Sequence, residues 1–389
     1  MSDLGLSSSC ATPADAGAAL GMASEAMSRL LGAADNVYSF VPKPSSLRFF
    51  SHGWGDLGKA RASRHKMGEC IEGREYERAA AQIPLPAGAG DGSFPSPWAE
   101  YLPAESADVP FRLLLPANGA APRAIVIVCP GTGDQTFAYR EYMFAQPLLD
   151  AAGVGVLLLM PPHVGSRKPA SQSLHYVNTV EQYLIQSGAS QIECLTALAW
   201  AQRAFPEALL GIAGLSWGGA MAACVGALWE GPVAITALLS TVNAEPLISG
   251  LLQADVAWEV LKEPEWAQLG AGATGNRLRT IFEEFSFEHL VRAVELGVAL
   301  NVPRAMRMAG DAAAPKVAVH AVAKHDKFVA YSGQLGLYEC VRRLGVDARL
   351  VHVPGGHASN HALARWTLAH LVGESVEQLE KRVRPSARL

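Results

Sequence analysis

Ser216 is the residue of this sequence best placed to do chemistry. It stands in Gly214-Leu-Ser-Trp-Gly218, where the apolar run Leu209–Leu215 ends and the small-residue run Gly218–Trp229 begins. A serine in a G-x-S-x-G turn between a strand and a helix is held exposed on a tight bend, and the glycines two positions away let strand and helix backbones approach. The same turn aims the next backbone N–H, that of Trp217, at the oxygen of a tetrahedral intermediate. A hydroxyl needs a base, and the base needs an orienting acid, in the chain order Ser, Asp or Glu, His. Two later loops meet that demand: Ala323-Lys-His-Asp326 follows the run Val317–Val322, and Pro354-Gly-Gly-His357 follows Ala348–Val353. The expected assignment is Ser216 as nucleophile, His357 as base and Asp326 as the acid that fixes the tautomer. The loop Pro130-Gly-Thr132-Gly133-Asp134, after Ala124–Cys129, is expected to supply the second oxyanion donor from Thr132 or Gly133.

Rival residues exist for each role. His325, His320, His352 and His361 are other histidines of this region, and Asp347 and Glu339 are other acids. His320 and His352 fall inside strand-like runs, where packing is the expected use, and Asp347 and Glu339 precede the last strand, away from the catalytic edge. His357 and His361 have i, i+4 spacing, yet the residues between them lack the glutamate of a helical zinc motif, so no metal is expected. The glycines of the 130–134 loop belong to no complete nucleotide fingerprint, so no cofactor is expected either.

The elements that must position these residues are legible as periodicity. Phe111–Leu115, Ala124–Cys129, Val154–Met160, Leu209–Leu215, Val233–Leu239, Val317–Val322 and Ala348–Val353 read as strands, and Glu141–Ala152, Leu174–Phe205, Gly218–Trp229 and Gln334–Leu344 as helices between them. Strands alternating with helices predict an α/β fold, with a mostly parallel sheet flanked by helices on both faces. The alternation stops from Asn243 to Pro315, where Leu247–Trp258, Asn276–Phe285 and Phe287–Leu300 look helical. The expected organisation is a flexible lead-in over 1–48, with little function up to about Asp35, core over 49–242, a helical cap inserted over 243–315 before the last two core strands, and core with a C-terminal helix and tail over 316–389.

Composition narrows the function classes. The chain has 389 residues, 50% hydrophobic and 17% charged, with formal net charge −4, which suits a folded core and supplies no polycationic surface for nucleic acid. Its six cysteines lie far apart and read as reduced and buried. No apolar run reaches membrane-spanning length, and the N-terminus lacks the pattern of a signal peptide, so a cytoplasmic address is the default expectation. The C-terminal Ala387-Arg388-Leu389 is similar to a peroxisomal import tripeptide, an alternative address. The basic run Lys59, Arg61, Arg64, His65, Lys66 reads as a solvated helical face, with an anion or membrane contact as the alternative, and the Trp258, Trp266 and Phe285 region as core rather than membrane contact.

Taken together, these residues resemble the α/β-hydrolase superfamily and, within it, the α/β-hydrolase domain-containing protein 18 family. The resemblance runs from about Phe50 to Gly373, through Gly53-Trp54-Gly55, Ser96-Pro97, Tyr101-Leu102-Pro103, Gly131-Thr-Gly-Asp134, Gly165-Ser-Arg167-Lys168-Pro169, the Ser216 turn, Ala323-Lys-His-Asp326 and Gly355-Gly-His357. Two departures stand out: Gln135 where the family usually has His, and Trp217 where it commonly has Met. The resemblance implies the α/β-hydrolase fold and a serine hydrolase acting on lipid acyl esters. Its animal relatives point to mitochondrial phospholipid deacylation of the cardiolipin type.

The expected reaction is cofactor-independent hydrolysis of a carboxylic, lipid or phospholipid acyl ester, through an acyl-enzyme on Ser216 that water activated by His357 releases. The expected partner is a small-molecule or lipid ester, with peripheral membrane contact open and the oligomeric state undetermined. Arg167 and Lys168 read as a basic loop packed for structural reasons, with a substrate phosphate contact as the alternative. Two other functions stay open: an acyltransferase or thioesterase on the same residues, and a lipid- or protein-binding module without turnover.

Overall fold

Seven short apolar runs are long enough for strands and too short for helices, and each is closed by Pro, Gly or a polar turn. The computed structural model, which describes residues 25–40, 44, 47–117, 119–263, 272–295 and 314–384, makes all of them strands of one sheet. In chain order the strands are β1 (Gly90–Pro95), β2 (Asp108–Leu114), β3 (Ala124–Cys129), β4 (Val154–Leu159), β5 (Leu209–Leu215), β6 (Val233–Leu238), β7 (Lys316–Val322) and β8 (Asp347–His352). They lie side by side as β1-β2-β4-β3-β5-β6-β7-β8. β1 pairs antiparallel with β2, and β2 with β4; every pairing from β4 to β8 is parallel. This is the mostly parallel architecture that the alternation implies and the α/β-hydrolase fold that the resemblance implies. β1 is an addition to the expectation: Gly90-Asp-Gly-Ser-Phe-Pro has no apolar alternation, and its pairing with β2 makes it a strand.

The parallel strands are buried on both faces because helices cover both. Along β3, Ile125, Ile127 and Cys129 join one apolar cluster and Ala124, Val126 and Val128 the other, the period-two partition that a pleated strand imposes. Helices Leu57–Glu72, Val180–Ala204, Trp217–Leu228 and Tyr331–Arg343 pack on the first face; Gln146–Ala152 and Arg365–Val383 pack on the second. Each fully buried Ile, Val or Leu contributes roughly 1.5–3 kcal/mol, so the sheet is a rigid platform for its loops.

Two helical expectations need correction. The helix expected from Leu174 starts at Val180, because the Thr179 hydroxyl caps it by accepting from the Gln182 N–H at 3.1 Å, while Leu174 sits at φ 49°. The stretch Leu247–Trp258, expected as one helix, is broken into 3₁₀ turns at Glu245–Leu247 and Leu251–Asp255, separated by Gly250. Between β6 and β7 the described residues add helices Trp258–Leu261, Ala273–Glu284 and Phe287–Glu295, and contribute no strand to the sheet. Trp258 and Phe285 pack against the core; Trp266 and Ala387–Leu389 lie outside the described residues. Five cysteines are free and buried, and Cys10 lies outside the described residues. No helix among the described residues is long and apolar enough to cross a membrane.

Candidate active site

Backbone strain marks the turn after β5. Ser216 has φ 59° and ψ −125°, a conformation that costs a non-glycine residue about 1–3 kcal/mol. The surroundings enforce it: the Ser216 N–H donates to Leu238 O of β6 at 2.9 Å, and its carbonyl accepts from Gly219 at 2.9 Å. Crowding explains the flanking glycines. A Cβ on Gly214 would sit 2.3 Å from the Gly218 carbonyl, and one on Gly218 would sit 2.6 Å from Cys129 O and 2.7 Å from Pro130 O. Gly218 therefore packs directly on the loop after β3. That loop also passes beside the serine, since a Cβ on Gly131 would lie 4.0 Å from Ser216 Cβ.

A buried ion pair sets the path of the 130–134 loop. Arg140 donates from Nε to Asp134 at 2.6 Å and from Nη1 to Val128 O and Leu159 O at 2.9 and 2.8 Å, tying the loop to the ends of β3 and β4. Gly133, at φ 92°, takes a conformation that favours glycine. Asp134 of the Gly-Thr-Gly-Asp motif is thus held for structure.

On the far side of the turn, the loops after β7 and β8 meet. His357 Nδ1 lies 2.8 Å from Asp326 Oδ2, with both side chains buried. Asp326 Oδ1 accepts from the N–H groups of Phe328 and Val329 at 2.9 and 2.8 Å, so its second oxygen is left to face the imidazole. Nδ1 therefore carries the proton and Nε2 is the accepting nitrogen. Burial pulls the imidazole pKa down, but the charges of Asp326 and Asp35 and the hydrogen bond donated to Asp326 more than offset it, and the net shift is upward.

Ser216, Trp217, Thr132, Gly133 and His357 all line one cavity of about 450 Å³, with Asp326 behind His357. Its other walls are largely apolar, including Phe49, Tyr176, Leu247, Leu252 and Phe328. The rivals are mostly occupied elsewhere. His352 meets the Tyr331 hydroxyl at 2.7 Å, and His325 pairs with Glu25 at 3.1 Å. His320 is buried in β7, its pKa pushed down to about 4 by burial. Asp347 pairs with Arg382 and Glu339 with Arg342. His361 does reach the cavity wall, where its Nδ1 meets the Tyr139 hydroxyl at 2.7 Å and its pKa is pushed to about 3 by burial and then by His357.

Arg167 and Lys168 are structural. Arg167 is fully buried against Glu193, with N–O distances of 2.7 and 2.8 Å, and Lys168 donates to Gln172 O at 2.7 Å.

Family membership follows from a match over most of the chain. Residues 47–378 match the family described as alpha/beta hydrolase domain containing 18. The chain belongs to that family. This α/β-hydrolase chain is also similar in fold to several solved proteins. One is the acylaminoacyl peptidase of Pyrococcus horikoshii, at 12% identity and TM-score 0.44 over 79% of this chain, which spans 44% of that one. Others are an α/β serine hydrolase without lid from Xanthomonas campestris (14% identity, TM-score 0.40, 78% and 100% of the two chains) and an esterase from Thermogutta terrifontis (14%, 0.43, 79% and 98%).

Sequence reasoning missed the residue that holds the two loops together. Asp35 is fully buried; its Oδ2 accepts from Lys327 N at 2.8 Å and from His357 N at 3.0 Å, and its Oδ1 from Ala358 N at 2.7 Å. One carboxylate thus bridges the Asp326 loop and the first turn of the helix His357–Leu363, where N–H groups lack intrahelical acceptors. Residue 35 of the expected lead-in is thus packed against both loops. Asp35 sits in the Ala-rich stretch Gly32-Ala-Ala-Asp-Asn36, which carries no local signal of such a contact. Next to it, Tyr38 lines the cavity, stacks edge-on against Phe328 at 4.8 Å and donates to Asp255. His175, which also lines the cavity, was equally silent in the sequence.

Proposed function

We propose that this α/β hydrolase is a serine hydrolase that cleaves carboxylic esters with apolar acyl groups, of the lipid or phospholipid kind, through an acyl-enzyme on Ser216. The observation that carries the reading is the 2.8 Å contact between Asp326 and His357, with His357 and a strained Ser216 lining one largely apolar cavity. His357 Nε2 takes the Ser216 proton as Oγ attacks the carbonyl, then returns it to the leaving alcohol. Asp326 holds the tautomer and stabilises the imidazolium. The developing oxyanion is met by the Trp217 N–H, at the first turn of helix Trp217–Leu228, and by an N–H of Thr132 or Gly133. Water activated by His357 then releases the acid. The described residues after β6 supply a cap over the site, of which Asn243, Pro246 and Leu247 line the cavity.

A fluorophosphonate tests this directly, because it captures only an activated serine. The native chain is expected to be labelled at Ser216, identified by peptide mass spectrometry, and Ser216→Ala to remain unlabelled. Absence of labelling in the folded native protein would favour a lipid-binding module instead.

The raised pKa of His357 sets the pH profile. The base works neutral, so kcat/KM is expected to fall as pH drops through a value above 6.5. Asp35→Asn removes one of the charges that raise it, favours the neutral imidazole and moves this acid limb to lower pH. A limb unmoved in Asp35→Asn would show that its charge is screened from His357.

A further inference from the structure

One cation of the basic run turns inward. On the helix Leu57–Glu72, Arg61 pairs with both oxygens of Glu284 at 2.8 and 2.9 Å, and Lys66 pairs with Glu69 and Glu75. Arg64 is different: its Nη1 meets the Met67 thioether at 3.7 Å, and its Nη2 is shut off from solvent with no hydrogen-bond partner among the described residues. Glu284, whose field reaches Arg64, is already held by Arg61. The Cys224 thiol beside it, pushed up to about 12 by burial, is neutral and supplies no counter-charge. Burial pulls the Arg64 pKa down, which expresses the cost of enclosing a guanidinium without a partner.

The space in front of Arg64 is a pocket of about 90 Å³, room for several water-sized atoms. Ser63, Gln191 and Thr241 also line it, and Thr241 Oγ1 is a second buried polar atom without a partner among the described residues. The pocket adjoins the catalytic cavity, the two sharing Tyr183, Trp217, Ala220 and Thr241 as walls. Arg64, whose guanidinium meets only a thioether among the described residues, and Thr241 both line this pocket, and a guanidinium and a hydroxyl suit a ligand that accepts hydrogen bonds.

We infer that this side pocket binds an oxyanion, a carboxylate or a phosphate, on the same substrate whose ester faces Ser216, with Arg64 and Thr241 as its donors. The assignment makes Arg64 a specificity residue, and it rests on the serine-hydrolase reading above. For Arg64 it takes up the alternative reading of the basic run, an anion contact.

The test combines binding with turnover, so that the two readings fail separately. Calorimetry on the full chain is carried out with inorganic phosphate and, separately, with butyrate, for the native protein, Arg64→Gln, Arg64→Lys and Thr241→Val. Turnover is compared within two matched pairs: 4-nitrophenyl butyrate against mono-4-nitrophenyl glutarate, and a 1-acylglycerol against its 3-phosphate. The native protein is expected to bind one of the anions and to favour the charged member of the corresponding pair at least tenfold in kcat/KM; the pair that shows it distinguishes carboxylate from phosphate. Arg64→Gln is expected to abolish binding and to lower kcat/KM at least tenfold more for the charged ester than for the neutral one. Arg64→Lys should restore part of both, and Thr241→Val should weaken binding with the charge intact. No anion binding by the native protein, or binding and preference unchanged in Arg64→Gln, would overturn the pocket. Anion binding that depends on Arg64, with no turnover of any ester, would keep the pocket and discard the hydrolase reading.

Discussion

Ser216→Ala is expected to lower ester turnover by about four to six powers of ten. The loss is this large because the hydroxyl forms the covalent intermediate, and the oxyanion donors and the apolar cavity alone supply only the residual acceleration. His357→Ala should cost about as much, and Asp326→Asn about 10⁴, since the amide would orient the wrong tautomer toward Ser216. The double variant Ser216→Ala with His357→Ala should be hardly worse than either alone, because the residues act as one unit. Steady-state kinetics on a 4-nitrophenyl ester reads all four, with circular dichroism to show that each chain is folded. Turnover retained within tenfold in Ser216→Ala would place the nucleophile elsewhere.

The largest expected loss of stability comes from Arg167→Met, about 3–5 kcal/mol. Glu193 lies in the long helix Val180–Ala204 and is buried; besides Arg167 it accepts from the Ser96 hydroxyl at 2.6 Å. Arg167 also donates to Met160 O at 2.7 Å and Ser106 O at 2.6 Å, so one guanidinium joins the end of β4, the β1–β2 connection and the helix. Removing it leaves a carboxylate in the core with its charge uncompensated. Urea denaturation would measure the drop, and adding Glu193→Leu to Arg167→Met should recover much of it, because the enclosed charge is then gone. A loss below 1 kcal/mol in the single variant would mean that water reaches Glu193 once the arginine is removed.

This pair also shows why motifs differ in what they disclose. Gly165-Ser-Arg167-Lys168-Pro169 and Gly131-Thr-Gly-Asp134 both contain charges that local sequence cannot assign to substrate or to scaffold. The deciding partners are remote: Glu193 is 26 residues beyond Arg167 in the chain, and Arg140 engages the ends of two different strands. The Ser216 turn differs because its demands are local. A small residue at 214 is required by a clash with Gly218 four residues on, which is already written in the spacing, whereas at 218 the clash is with the loop after β3.

By itself the sequence determined the alternation of strands and helices, hence a parallel sheet covered on both faces, and the strand-end loops on which Ser216, Asp326 and His357 sit. Apolar periodicity is short-ranged and set by backbone geometry, so it survives without knowledge of contacts. What only tertiary structure decided is which charges meet. Asp35 reaches Lys327 and His357 across 292 and 322 positions, Arg64 faces a pocket rather than solvent, and the helix expected at 247–258 breaks into short turns. The physical reason is shared by the two charges: a polar side chain takes its role from the groups enclosed with it, and enclosure is a property of the packed fold.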